Sequence, residues 1–312
     1  MAKEGVSILG IYAADLQFTA KRQPAMGETV LGKKFALGPG GKGSNQAVAA
    51  ARAGARVSFI SRVGLDSFGD QALAMWRAEG IITLVPQDEK HATGAAYIFI
   101  EQGSGNNAVL VVPGASGQVS TADVDGAFDT IAGSAVFMTQ LETPAAVSAY
   151  ALRKAKGAGV ITIFNPAPAA AFDTSVLAVC DYCTPNESEA TALTGVAVKD
   201  IASARKAAEA LLARGVGMAL ITLGSQGALL HGRGLSVHIP VFKVGKVVDT
   251  TGAGDAFNGG FAAALSKGAT PEDAARFGAA TAGLSVTRHG TAPSMPQLAE
   301  IEALLKQNSA GI

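Results

Sequence analysis

Asp249 and Asp255 bracket Thr250-Thr251-Gly252-Ala253-Gly254, and Ala256-Phe257-Asn258-Gly259-Gly260 follows. Phe257, Phe261 and Leu265 recur at i, i+4 and i+8, which predicts a helix starting at the glycines. Small residues there leave backbone N–H groups accessible. A helix N-terminus with unpaired donors and partial positive charge suits an anion, phosphate especially. Asp255 then has two readings, an N-cap or a group that takes part in chemistry on whatever docks beside it. A second glycine turn, Gly38-Pro39-Gly40-Gly41-Lys42-Gly43, leads into Ser44-Asn45-Gln46 and an Ala-rich run. It matches G-x-G-x-x-G but lies far past the first strand, which disfavours a dinucleotide-binding dehydrogenase. Gly43 after Lys42 excludes a Walker A loop. The turn permits close backbone approach, while Lys42 and Asn45 offer donors to a polyhydroxylated ligand. Asn186, three residues before Glu189, also fits a capping box.

The elements that must position these residues alternate. Val6–Ile11, Val57–Val63, Ala135–Leu141, Val160–Phe164, Ala178–Thr184 and Met218–Leu223 predict strands buried on both faces. Helical patterns fall near Gly43–Ala53, Ser67–Glu79, Ala145–Ala158, Asn186–Thr194 and Ile201–Arg214. The expected fold is α/β: a doubly wound, mostly parallel sheet flanked by helices, with ligands beyond the carboxyl ends of its strands. Strand patterns without a crossover helix, at about 12–37 and 92–112, predict a small β-sheet lid on a single domain spanning 1–312. The second contains Gly-Ser-Gly-Asn-Asn (103–107), a hairpin signal.

Composition narrows the classes. The 312 residues are 48% hydrophobic, and 25 basic residues balance 25 acidic ones, so nothing points to nucleic acid or an anionic membrane. No stretch reads as membrane-spanning; Pro166 and Pro168 interrupt the uncharged run from Gly157 to Phe172. The start of the chain reads as a first strand, not a signal peptide. Cys180 and Cys183 lack further metal ligands nearby and read as buried thiols. A reducing, cytoplasmic setting is expected. His91, His231, His238 and His289 show no metal-ligand spacing.

Gly40-Gly41-Lys42-Gly43-Ser44-Asn45-Gln46-Ala47 resembles the first signature of the ribokinase-like (PfkB-type) carbohydrate kinases, and Asp249-Thr250-Thr251-Gly252-Ala253-Gly254-Asp255 resembles the second. Met138–Glu142, Asn165–Ala169, Asn186–Glu189 and Val286–Gly290 are similar to the ribokinase branch in order and spacing, to about Pro296. The resemblance implies an ATP-dependent kinase of a sugar's primary hydroxyl, using Mg²⁺ and K⁺. It implies Asp255 as base and Gly252, Ala253 and Gly254 as the anion hole. Asp15, Gly41, Lys42, Asn45 and Glu142 would bind the sugar, beside Ala13. Thr222, Gly224, Ser225 and Gly227 would lie on the nucleotide side with Asn186 and Gly254. Asn186 and Glu189 would organise Mg²⁺ through water, and Asp249, Thr251, Ser285, Arg288, Gly290 and Ser294 would surround K⁺. A homodimer through the lid is a further expectation.

One position departs from the pattern. Ribokinases carry Asn two residues before the first sugar-binding Asp, and here Ala13 stands there. The lost amide removes a hydroxyl contact and opens space, which suits a deoxypentose, a ketose or a larger sugar. A nucleoside or hexose kinase would share the catalytic motifs. A non-catalytic sugar-binding regulator would keep the fold but have no need of a base.

Overall fold

The structure, a computed structural model, describes residues 3–104 and 106–309. Gly105 of the expected hairpin turn, like Met1 and Ala2, lies outside them. Strand β1 (Val6–Leu9) runs into β2 (Ala13–Ala20), β3 (Lys34–Gly40) and helix α1 (Lys42–Arg52). Next come β4 (Val57–Ile60), β5 (Val63–Gly64), α2 (Ser67–Ala78), β6 (Ile82–Leu84), β7 (Gln87–Asp88), β8 (Thr93–Glu101) and β9 (Asn107–Gly114). The middle of the chain forms α3 (Thr121–Gly126), α4 (Phe128–Gly133), β10 (Val136–Thr139), α5 (Ala145–Gly157) and β11 (Ile161–Phe164). Then follow β12 (Tyr182–Cys183), α6 (Glu187–Thr194), α7 (Ile201–Leu212), β13 (Met218–Thr222), β14 (Ala228–Gly232) and β15 (Leu235–Ile239). Helices α8 (Ala253–Ser266), α9 (Pro271–Ser285) and α10 (Leu298–Ser309) close the chain.

The main sheet has the order β15-β14-β13-β12-β11-β10-β1-β4-β6, parallel from β13 to β6 and antiparallel at the β14–β15 hairpin. Each central strand is apolar on both faces because helices cover both. Ile8, Met138 and Ile163 pack on the α1, α8 and α9 side, while Leu9, Phe137 and Phe164 pack on the α5 and α7 side. After β1 the sheet grows outward in both directions, toward β4 and toward β10. The strand ends beside that reversal form the crevice where ligands of such sheets bind.

A separate four-stranded sheet, order β3-β2-β8-β9, makes the flap. It reaches further than 12–37 and 92–112, to Gly40 and Gly114, because β3 continues to the start of α1. Register puts Ala13 and Asp15 on one face, and Leu16, Phe18, Phe35, Leu37, Tyr97 and Leu110 on the other.

All six predicted strands are shorter than the sequence predicts, and three show why. β1 stops at Leu9 because the next residues turn to meet α1, and the Ile11 carbonyl accepts the Ser44 N–H at 3.2 Å. β4 stops at Ile60, and Val63 pairs with β7 instead. Of the expected strand over 178–184, Ala178 and Val179 finish a 3₁₀ turn, Thr174–Val179, whose start Asp173 caps by accepting from Ser175 N; only Tyr182–Cys183 is a strand, between β11 and β13. Both cysteines are free and buried, and burial pushes the Cys180 thiol up to about 12. No helix among the described residues is long and apolar enough to cross a membrane.

Candidate active site

Helix α8 starts as its glycines require. Gly252, in the left-handed region at φ 78°, occupies the N-cap position. Asp255 is therefore the third residue of the helix and not its cap. Its two carboxylate oxygens accept from Asn45 Nδ2 and Gln46 Nε2 on α1, each at 3.0 Å. The N–H groups of Gly252, Gly254 and Asp255 make no hydrogen bond with any described residue. Ala253 differs from the sequence expectation: its N–H closes the turn on the Thr250 carbonyl at 3.2 Å, so its donor is spent within the chain. A Cβ built on Gly254 would meet no protein atom within 4 Å. That face of the helix start is open to a cleft.

Helix α1 starts opposite. Gly41 lies at φ 89°, with the Ile11 carbonyl oxygen only 2.5 Å from where a Cβ would stand, so both conformation and space demand glycine. No side chain of α1 caps it. Instead the Glu142 carboxylate, carried on the loop after β10, accepts the Lys42 N–H at 2.7 Å. Asp15, on the site-facing side of β2, lies over Gly40, where any Cβ would collide with its carboxylate. The Asp15 carboxylate makes no hydrogen bond with a described residue.

The electrostatics follow from burial. Four carboxylates (Asp15, Glu142, Glu189 and Asp255) surround one ammonium, Lys42. Burial pushes Asp15 up to about 6, with the Asp255 charge adding to it. Burial pushes Glu142 up to about 7 against the pull of Lys42. Asp255 is also raised by burial, opposed by Lys42 and by the amides of Asn45 and Gln46. Lys42 is held above its ordinary value chiefly by Asp255. Acceptors in excess of donors suit a neutral ligand rich in hydroxyl groups.

A cleft of about 170 Å³ joins these two helix starts to Asn186, Glu189 and Thr222. The capping box is real: Glu189 N donates to Asn186 Oδ1 and Asn186 N to Glu189 Oε2, both at 2.9 Å. Glu189 Oε1 still makes no hydrogen bond with a described residue, so the cap and a role in the cleft coexist. No group of three or more His, Cys, Asp or Glu among the described residues could hold a metal ion. Hard oxygen donors with few protein ligands fit Mg²⁺ held mainly by water and phosphate. Thr222 bridges to Asn186 at the end of β13. Gly224 and Ser225 are exposed in the 3₁₀ turn that follows, and Gly227 ends it at φ 89°.

Beside the α8 turn, Asp249 accepts from Thr251 N at 2.9 Å and from Gly290 N at 3.0 Å. These donors hold its carboxyl below the ordinary value although burial opposes them. The side chains of Ser285 and Ser294 bond carbonyls of their own segments, and Arg288 pairs with Glu300. Carbonyl oxygens are what these residues have left for a monovalent cation.

The sequence reading assigned nothing to Gln46, Gln140, Asn165 or Asn258. Asn258 borders the cleft, donates to the Gly254 carbonyl and accepts from Thr184 Oγ1. Its spacing of three from Asp255, on the same helical face, was a usable signal.

This fold and cleft define an alcohol-accepting phosphotransferase. Residues 3–298 match the pfkB family carbohydrate kinase model, and the chain belongs to that family. It is 40% identical over 295 residues to the ribokinase of Haemophilus influenzae, covering 94% of this chain and 96% of that one. It is 35% identical over 305 residues to the deoxyribokinase of Salmonella typhi, covering 97% and 99%. The structure of Arabidopsis thaliana ribokinase complexed with ribose and ATP superposes with a TM-score of 0.89 at 29% identity, covering 98% and 99%.

Proposed function

We propose that this kinase transfers the γ-phosphoryl group of ATP to a primary hydroxyl of a pentose, O5, giving a product like ribose 5-phosphate. The observation that carries the reading is Asp255 itself: a carboxylate at the third helical position, bordering the cleft beside amides with no partner among the described residues. Asp255 takes the hydroxyl proton as the oxygen attacks. Phosphoryl transfer has a loose transition state, so holding the alcohol in line matters more than early deprotonation. The N–H groups of Gly252 and Gly254, joined by that of Asp255, stabilise charge on the transferred group. Asp15, Gly41, Lys42, Asn45 and Glu142 hold the sugar. Thr222, Gly224, Ser225 and Gly227 line the nucleotide side. Asn186 and Glu189 would hold Mg²⁺ through water, where it would screen the phosphates. The carbonyls around Asp249, Thr251, Ser285, Arg288, Gly290 and Ser294 would hold K⁺.

ADP release measured over a panel of free sugars, with and without K⁺, tests the activity. Asp255→Asn should lower kcat by about 10²–10⁴ with the fold intact; nearly full turnover would remove Asp255 as base.

A second reading of the substrate has its own support. Ala13 is a buried methyl on the same strand face as Asp15, paired with Gly40 and Gly94. No amide there meets a sugar hydroxyl, which favours a deoxypentose or a bulkier sugar over D-ribose. A clear kcat/KM preference for D-ribose would defeat this. The flap's outer face exposes Phe18, Phe35, Leu37, Tyr97, Leu110 and Val112, an apolar patch that supports pairing of two flaps in a homodimer. A monomeric mass by light scattering at micromolar concentration would reject it. The buried, unpaired cysteines support a cytoplasmic location, checked by fractionation.

A further inference from the structure

We propose that Gln46 is a positioning residue for phosphoryl transfer: its side-chain amide keeps the Asp255 carboxylate ionised and aimed at the cleft, in an orientation dictated by the main-chain carbonyl of Thr184. The inference rests on Asp255 being the base.

The direction of every hydrogen bond in this network is forced from one end. The Thr184 carbonyl can only accept, and Asn165 Nδ2 donates to it at 2.8 Å. Asn165 must therefore turn its Oδ1 toward Gln46, whose Nε2 donates to it at 3.1 Å. The same Nε2 donates to Asp255 Oδ1 at 3.0 Å. Gln46 Oε1 in turn accepts from Gln140 Nε2 at 2.5 Å. Turning the Gln46 amide over would set its oxygen against two acceptors and its nitrogen against a donor. Turning Asn165 would break its bond to the backbone. The network is locked with N–H facing Asp255, so a proton on Oδ1 would point at a group that cannot accept it. Asn45 Nδ2 also donates to Oδ2, at 3.0 Å.

This arrangement leaves buried acceptors unsatisfied. Gln140 Oε1 and Asn45 Oδ1 have no hydrogen-bond partner among the described residues. Gln140 Oε1 lies 2.7 Å from where a Cβ on Gly10 would stand and 2.9 Å from one on Gly43, so glycines make its room. A network optimised for stability would not strand these oxygens. One optimised to present donors to a carboxylate would. The other charged groups near Asp255 are Lys42 of α1, Asp15 of β2, Glu142 of the loop after β10 and Glu189 of α6. None of them hydrogen-bonds it; the two carboxamides are its direct partners.

Gln46→Leu and Gln46→Glu separate positioning from packing. Gln46→Leu removes the donor, so kcat should fall about 10- to 100-fold, KM for sugar and ATP should stay within about threefold, and the acid limb of the kcat profile should move up by about one pH unit. Gln46→Glu sets a second carboxylate against Asp255, so activity should recover toward low pH, where the pair shares a proton, and fall as pH rises. If Gln46→Leu does not fold, the Gln46→Glu profile against wild type decides alone. A wild-type acid limb in Gln46→Glu, or the same limb in both variants, overturns the positioning role. Asp255→Asn is run alongside. If it stays active, the base reading has failed and the inference with it; if it is inactive while the Gln46 variants keep the wild-type limb, only the inference falls.

Discussion

Replacing Gly254 by alanine should move stability and activity in opposite directions. Gly254 is the second residue of α8, its φ is not positive, and an added Cβ would meet nothing of the protein within 4 Å. Alanine in such a helical position gains about 0.5–1 kcal/mol through propensity and a less flexible unfolded chain. For a chain of this size that is a rise in Tm of about 2 °C. The same methyl would project into the cleft beside the open N–H groups, the proposed docking place of the transferred phosphoryl. Holding an oxygen a few tenths of an ångström too far from its donors costs part of the 10²–10³ that such a donor contributes. A loss of about 10- to 100-fold in kcat/KM for ATP is expected, or about 1.4–2.8 kcal/mol of transition-state stabilisation. Gly252→Ala is the contrast: at φ 78°, with Thr291 atoms 3.3 Å from the new Cβ, it should lose stability as well as activity. Thermal melts with ADP-coupled kinetics read both quantities. Wild-type kcat/KM in Gly254→Ala would refute the docking of phosphate against this turn.

Gly40→Ala drives a methyl into the Asp15 carboxylate and should raise KM for the sugar at least about tenfold with kcat less affected; an unchanged KM would take Asp15 out of the sugar site. Gly259→Ala places a Cβ 2.5 Å from Ala49 Cβ and 2.7 Å from the Gln46 carbonyl, forcing α8 off α1. A cost of about 1–3 kcal/mol follows, and a Tm equal to wild type would show that the pair can slide apart freely. Burial raises Glu142 from an ordinary 4.5 to about 7, so the folded, ligand-free state binds a proton that the unfolded chain has released. The stability this group adds is complete below about pH 4.5 and is lost as pH rises through about 7. Glu142→Gln should gain on wild type across that window, by on the order of 2–3 kcal/mol, and a pH-independent difference in their melting would contradict the buried carboxylate.

Much of this architecture is legible before any coordinates. The alternation of apolar runs with Ala-rich stretches finds the central strands, because strands buried on both faces carry uninterrupted hydrophobic sequence. It misjudges the segment at Ala178–Thr184, whose first two residues finish a 3₁₀ turn and whose strand is only Tyr182–Cys183. Apolarity records burial and does not distinguish a strand from a packed turn. The hairpin of β14 and β15 is missed although Gly232-Arg233-Gly234 marks its turn, with Arg233 at φ 52°. Within the site, local sequence left Asp255 divided between cap and base. The αL geometry of Gly252 removes the cap reading by taking the cap position itself. Gln46, Gln140 and Asn165 lie outside what spacing can report. Each is an amide at the end of a different element, and their meaning exists only once α1, β10 and β11 bring them to one carboxylate. The spent N–H of Ala253 is equally invisible, since it depends on a turn closing on Thr250.

The raised carboxylates and the flap belong to one physical arrangement. With all groups ionised the cleft would hold four negative charges against one positive, a net of 4 − 1 = 3 negative charges in a largely dry space. Such a cleft is costly when empty, and it relieves the cost by holding protons, as Asp15 and Glu142 do up to about 6 and about 7. Hydroxyl donors of a sugar supply the same relief without a proton, stabilising the ionised carboxylates that a bound polyol needs. The flap places Asp15 and Ala13 on one face where the chain passes from β1 of the main sheet into β2, so a ligand that satisfied Asp15 would also tie the flap to the crevice. Excluding water there matters because water is itself an alcohol-like acceptor for the phosphoryl group. The buried acids and the bare glycine amides are therefore two expressions of one site, whose unsatisfied groups suit a hydroxyl-rich ligand and an anion.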